Sequence, residues 1–117
     1  MTTTTVWANF TVEGWHRWPE APDSRSYLGH WHRHLFCVRV ERPVHSAKRE
    51  VEFHDLRDQG LHAVRSAGVA GDFGSQSCED IATRAIAYLR SHGHDDASWI
   101  EVTVSEDGEC GATVREP

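Results

Sequence analysis

The chain has 117 residues with 38% hydrophobic content, enough for one domain (1–117) around a modest core. Twelve basic against eighteen acidic residues give a net charge of −6, and Lys and Arg occur only as scattered pairs such as Lys48-Arg49. That pattern argues against a nucleic-acid backbone binder, while local basic residues remain able to hold an anionic small molecule. No apolar run approaches membrane-spanning length, and Met1–Thr5 lacks the basic and apolar regions of a secretory signal, so a cytoplasmic protein without membrane association is expected.

Val6–Val12 alternates well enough to form a strand, and Glu13-Gly14-Trp15-His16 follows it. Pro19–Gly29 is rich in Pro, Asp, Ser and Gly and reads as a loop. A long second strand is predicted over His32–Val44, ended by Pro43 and a turn at His45-Ser46-Ala47. At its head stands an H-x-H pair, His32 and His34. Residues two apart in a strand share a face, about 6–7 Å apart along it, so the two imidazoles project together. His16 ends the earlier strand-like run and is placed to be a third ligand. Three neutral nitrogen ligands with one open position match a catalytic zinc site. The competing reading is incidental, because nine histidines in one short chain make some H-x-H pairing expected by chance. His30 shares the same face parity and competes as a ligand, an outer partner or a loop residue.

Two helices are predicted next. The first spans about Phe53–Ser66, with Phe53, Leu56, Leu61 and Val64 as a partial apolar stripe and Gly60 as its weak point. The second spans about Cys78–Ser91. Ser77 is its N-cap, Asp80 completes a capping-box-like pair, and Ile81, Ala82, Ala85, Ile86 and Leu89 form the buried stripe. Gly93 occupies the place of a left-handed C-cap residue. A third strand, Trp99–Ser105, leads through a turn at Glu106-Asp107-Gly108 into a short fourth strand near Ala112–Val114. Strand pairs flanking a helix pair predict an α+β fold: an antiparallel four-stranded sheet with two helices inserted between strands 2 and 3 and packed on one face. Such a sheet has two bare edges, which self-association would cover. Cys37, Cys78 and Cys110 are odd in number and lack C-x-x-C spacing, so reduced thiols are expected. The five tryptophans are candidates for the core or for subunit contacts.

Taken in order, these segments resemble the 6-pyruvoyltetrahydropterin synthase and 6-carboxytetrahydropterin synthase family, which has the tunnelling fold. The likeness runs from about Phe10 to Val114 and rests on five motifs. Phe10–His16 resembles the family's F-x-(n)-H. His32-Arg33-His34-Leu35-Phe36 resembles its H-G-H-N-Y. Val51-Glu52-Phe53-His54-Asp55-Leu56 resembles V-x-D-F-x-x-L. Gln76-Ser77-Cys78-Glu79-Asp80-Ile81-Ala82 resembles P-T-x-E-N-L-A. Val102-Thr103-Val104-Ser105-Glu106 resembles V-x-V-x-E. Agreement across levels strengthens the metal reading.

The resemblance implies His16, His32 and His34 as Zn2+ ligands. It implies Glu106 as the carboxylate gripping the guanidine edge of a pterin or purine-like ring through two parallel N–H donors, with Glu79 as a second substrate-binding carboxylate. It also implies a homo-oligomer, a trimer or a hexamer of paired trimers, with sites between subunits. The chain departs from the family where proton transfer is concerned. The family's cysteine, four to six residues before H-x-H, is replaced by Ser26, Tyr27 and Leu28, and the Asp-His pair between the helices is missing. Asp72 and Cys78 are the candidate catalytic substitutes, Asp72 against a turn role and Cys78 against a buried structural one. Cys78 opens a helix, where the helix N-terminus lowers a thiol's pKa. His30 and His54 are candidate proton shuttles. The expected function is a divergent zinc-dependent enzyme of the pterin synthase type, a carbon–oxygen lyase acting on a dihydroneopterin triphosphate-like substrate. The alternative is a zinc protein that binds such a ring without that reaction.

Overall fold

The computed structural model describes residues 2–117. Four strands, β1 (Thr4–His16), β2 (His32–Val44), β3 (Ile100–Glu106) and β4 (Cys110–Glu116), form one antiparallel sheet in chain order. Between β2 and β3 run α1 (Phe53–Ser66) and α2 (Cys78–Ser91). Both helices bury their apolar stripes against the same sheet face, as the α+β expectation requires. Ser77 accepts from the Asp80 amide at 3.1 Å and Asp80 returns the contact to the Ser77 amide, so the expected capping box closes. The five-residue stripe of α2 is completely buried.

The α1 stripe differs from its expectation. Leu56 and Val64 are buried, but Phe53 is 53% exposed and the inward face is completed by Gly60 and Ala63. Gly60 is there for proximity: a Cβ would lie 2.8 Å from the Phe10 ring and 3.1 Å from Val40, so glycine lets the helix settle on β1 and β2.

β1 extends four residues beyond the predicted end. Gly14 makes this possible, because a Cβ there would stand 2.5 Å from the Phe73 ring. The α1–α2 loop lies along this end of β1, with Trp15 N–H donating to Gly71 O at 2.8 Å and Phe73 N–H to Trp15 O at 2.8 Å. The loop predicted over Pro19–Gly29 contains short 3-10 turns over Asp23–Gly29, interrupted at Arg25. β3 and β4 join through a tight turn in which Asp107 and Gly108 both have positive φ, 57° and 74°, the conformation that Asp-Gly favours in hairpins.

The other sheet face carries no helix and is largely polar. Trp7 lies there under the Arg39 guanidinium at 4.1 Å, and Trp99 under Arg115 at 3.9 Å. Trp7, Trp15, Trp18 and Trp31 are all exposed, so they do not build the buried core, which is aliphatic apart from Phe36, Phe73 and Cys78. Among the described residues, no helix is long and apolar enough to cross a membrane.

Candidate metal centre and pocket

The register of β1 and β2 sets His16 directly opposite His32, and Gly14 opposite His34. All three imidazoles therefore emerge from the helix-bearing face at one end of the sheet. Ring centroids are 4.5 Å apart for His16–His32, 4.8 Å for His32–His34 and 5.3 Å for His16–His34. One potential ligand atom from each lies within 4.8 Å of the others, so the three form a group able to hold a metal ion. Phe36 closes the floor, edge-on to His16 and His34.

The tautomers follow from the partners. His16 Nδ1 lies 2.9 Å from Gln76 O, His32 Nδ1 2.8 Å from His30 O, and His34 Nδ1 2.8 Å from Asp107 Oδ2. These oxygens only accept, which assigns the proton to Nδ1 and leaves Nε2 as a lone-pair donor. Such contacts orient metal-binding histidines. The Nε2 atoms of His16 and His34 are buried and meet no hydrogen-bond partner. Buried polar atoms rarely go unpaired, so this donor set fits a divalent cation. Burial holds the His16 pKa below its ordinary value, partly offset by its bond to Gln76 O and by the Glu106 charge. A neutral ring is the form that binds metal.

A cavity of about 360 Å³ opens beside the cluster. His16, His32, Cys78, Glu79, Glu106 and Cys110 line it. Glu106 ends β3 with Oε1 3.3 Å from His16 Nε2 and Oε2 3.1 Å from His34 Nε2. Glu79 is exposed in the first turn of α2. The two acidic residues singled out by sequence thus share the cavity wall with the histidines.

The two candidate catalytic substitutes fare differently. Asp72 is not on the cavity wall. It is exposed, its Oδ1 accepts from the Gly74 amide at 2.8 Å, and its backbone bridges to Trp15 and Val69. This is the turn role. Cys78 does line the cavity, but its thiol is pushed up to about 12, first by burial and then by the Glu106 and Glu79 charges. The expected lowering by the helix N-terminus is therefore overruled, since desolvation and two nearby carboxylates act in the opposite direction. Of the Ser26–Leu28 window, only Leu28 reaches the cavity. His30 contributes its carbonyl to His32, and His54 pairs with Glu52 at the start of α1, so neither ring lines the cavity.

Two site residues escaped the sequence reading. Asp107 is the outer partner of His34. Cys110, exposed, pairs across β3–β4 with Glu106 and so faces the same cavity. The Asp-Gly turn and the three-residue hairpin loop carried that signal, because loop length fixes which side chains return to a face.

Comparison with solved structures identifies the architecture. A 6-pyruvoyl tetrahydropterin synthase from Caenorhabditis elegans superposes with a TM-score of 0.72 at 14% identity, over 100% of this chain and 98% of that one. The fold is that of 6-pyruvoyl tetrahydropterin synthase. The Plasmodium vivax synthase agrees, with a TM-score of 0.66 at 12% identity over 99% of each chain. A catalytic-residue mutant of the Plasmodium protein gives 0.67 at 13% identity over 99% of each. No family model and no curated protein sequence matches the chain. The likeness therefore establishes the tunnelling fold, and the expectation of a divergent form agrees with the low identities.

Proposed function

We propose that this chain is a zinc-dependent protein of the pterin synthase type, acting on a dihydropterin such as dihydroneopterin triphosphate as a carbon–oxygen lyase. One observation carries the reading: three histidines from two strands bring ligand atoms within 4.8 Å of one another at the edge of a cavity of pocket size, and the Nε2 atoms of His16 and His34 are buried without a partner. His16, His32 and His34 hold the ion. When bound, zinc supplies a Lewis acid that polarises a substrate oxygen and favours its deprotonated form. The chain's own residues do the remaining work. Gln76 O, His30 O and Asp107 fix the imidazoles. Glu79 and Glu106 offer carboxylates to the N–H donors of a pterin or purine-like edge. Arg17 and Ser75 border the same cavity and offer donors to an anionic substituent.

A second reading is favoured by a specific feature. Leu28 is the cavity-facing residue of the segment where the resemblance places a thiol, and Asp72 is turned into its own loop. A pocket that keeps its cage and carboxylates but lacks those groups suits ring binding without the standard reaction.

Two measurements separate the readings. Metal analysis of the purified protein beside His34→Ala is expected to give one zinc per chain in the first and none in the second; equal metal in both would overturn the cage. Incubation with dihydroneopterin triphosphate, with the product identified, tests the reaction. Turnover supports the enzyme, whereas saturable binding with unchanged substrate supports the binder. We further propose a homo-oligomer, trimeric or hexameric, in which the outer edges of β1 and β4 pair with neighbouring copies. Light scattering that gives a monomer would reject this.

A further inference from the structure

We infer that Glu106 is itself a metal ligand in the ring-free protein, completing a three-histidine, one-carboxylate cage. The inference rests on the metal centre proposed above and goes beyond it, because Glu106 was assigned to the ring and not to the ion. Four ligands placed tetrahedrally at zinc bond lengths of 2.0–2.1 Å stand roughly 3.3 Å from one another. The Glu106 oxygens are 3.3 Å from His16 Nε2 and 3.1 Å from His34 Nε2. Oε1 faces His16 and Oε2 faces His34, so the carboxylate spans two of the three imidazoles at the separations that neighbouring ligands of one ion take.

Hydrogen bonding does not explain the approach. Each imidazole has committed its proton through Nδ1, His16 to Gln76 O and His34 to Asp107 Oδ2. What faces Glu106 on each ring is a nitrogen lone pair, and neither Nε2 makes a hydrogen bond. Carboxylate oxygens set against two buried lone pairs repel them unless a cation lies between. A carboxylate waiting to grip a guanidine edge would turn both oxygens into the cavity; here each oxygen is applied to a histidine. The main chain reinforces the placement. Glu106 is the last residue of β3, paired with Phe36 at the floor of the cluster, and the tight turn after it brings Asp107 onto His34. One dipeptide, Glu106-Asp107, thus supplies both a ligand and the partner of a ligand. It follows that the fourth position is closed until an incoming ring draws the carboxylate away, with Glu79 the carboxylate free to make first contact.

The test uses the protein loaded with zinc or with cobalt(II), whose visible absorption reports coordination. Wild-type protein is expected to show a cobalt spectrum that azide leaves unchanged, since no coordination position is open. In Glu106→Gln the spectrum should respond to azide, and zinc affinity by chelator competition should fall roughly tenfold or more, the scale that even outer partners of metal ligands reach. The wild-type azide experiment stands even if the variant does not fold. A wild-type spectrum that shifts with azide, or a folded Glu106→Gln variant of unchanged zinc affinity, overturns the inference while leaving the histidine cage intact. Failure of wild-type protein to bind either metal overturns the cage and the inference together.

Discussion

Asp107 holds His34 and its own strand at once: Oδ2 takes the His34 Nδ1 proton at 2.8 Å and Oδ1 takes the Leu35 amide at 2.8 Å. The carboxyl is kept below its usual range, first by the Leu35 amide and then by the bond to His34. Asp107→Asn tolerates the same positive φ but has one accepting oxygen for two donors. Zinc affinity is therefore expected to drop about 10–100-fold with the fold retained. Competition against a chromophoric chelator measures this, and unchanged affinity would show that the His34 ring needs no such anchor.

Gly14 carries a packing constraint that reaches the histidine cluster. It stands opposite His34, and a Cβ there would sit 2.5 Å from Phe73 Cε2 and 3.0 Å from Gly71 O. Phe73 is 1% exposed and packs on Phe36, so it has little room to retreat. Gly14→Ala is expected to lower unfolding stability by about 1–3 kcal/mol. It should also weaken zinc binding, because the loop it displaces delivers Gln76 O to His16. Urea denaturation and zinc titration check the two effects, and a neutral result in both would reject the constraint.

How far the sequence could be read follows from the physics of each element. β2 and α2 were legible to the residue, because an apolar residue at every second position, bounded by Pro43, and a helix bounded by a capping box are local signals. β1 was underestimated because its last residues are held by pairing to Gly71 and Phe73, which lie more than fifty positions away. The histidine cluster was legible because H-x-H parity is local and His16 closes the preceding strand. The place of Glu106 at the end of β3 was legible, but its orientation toward the imidazoles was not, since side-chain direction at a strand end depends on what stands opposite. The position of Asp72 away from the cavity was not legible, because its carboxylate accepts from a neighbouring amide, a competition typical of loop aspartates.

Cys78 and Cys110 should separate cleanly by reactivity. Cys78 is 6% exposed with its thiol pushed up to about 12, whereas Cys110 is exposed. The thiolate is the nucleophile, so brief iodoacetamide treatment at pH 8 should label Cys110 and leave Cys78 unmodified. Peptide mass spectrometry reads the sites. Rapid labelling of Cys78 in folded protein would show that its thiol is accessible and ionises at pH 8, and would support it as a nucleophile.

His94 ties stability to pH at the opposite end of the sheet from the histidine cluster. It is 4% exposed, and its Nδ1 accepts from Arg42 Nη1 at 3.0 Å while its Nε2 proton goes to Gln59 Oε1. Arg42 is itself buried, also donates to Asp96 Oδ1 at 3.1 Å and Oδ2 at 3.4 Å, and lies 4.0 Å from Glu50. A second proton on His94 has no acceptor and would face the guanidinium. Burial first, and then the Arg42 charge, hold the His94 pKa below 6.5, against a smaller opposing pull from Asp96. The unfolded chain therefore takes up its proton first as pH falls through about 6.5, and the folded state loses stability from there downward. Unfolding free energy in urea is expected to decline between pH 7 and pH 5. His94→Asn should decline less steeply, retaining the slope due to His16, which burial lowers in the same direction. Asp96 is held below its usual range by the bond from Arg42 and titrates beneath this window, so it leaves the comparison undisturbed. Parallel slopes for the two proteins would mean that the buried imidazole accepts its second proton without disturbing Arg42.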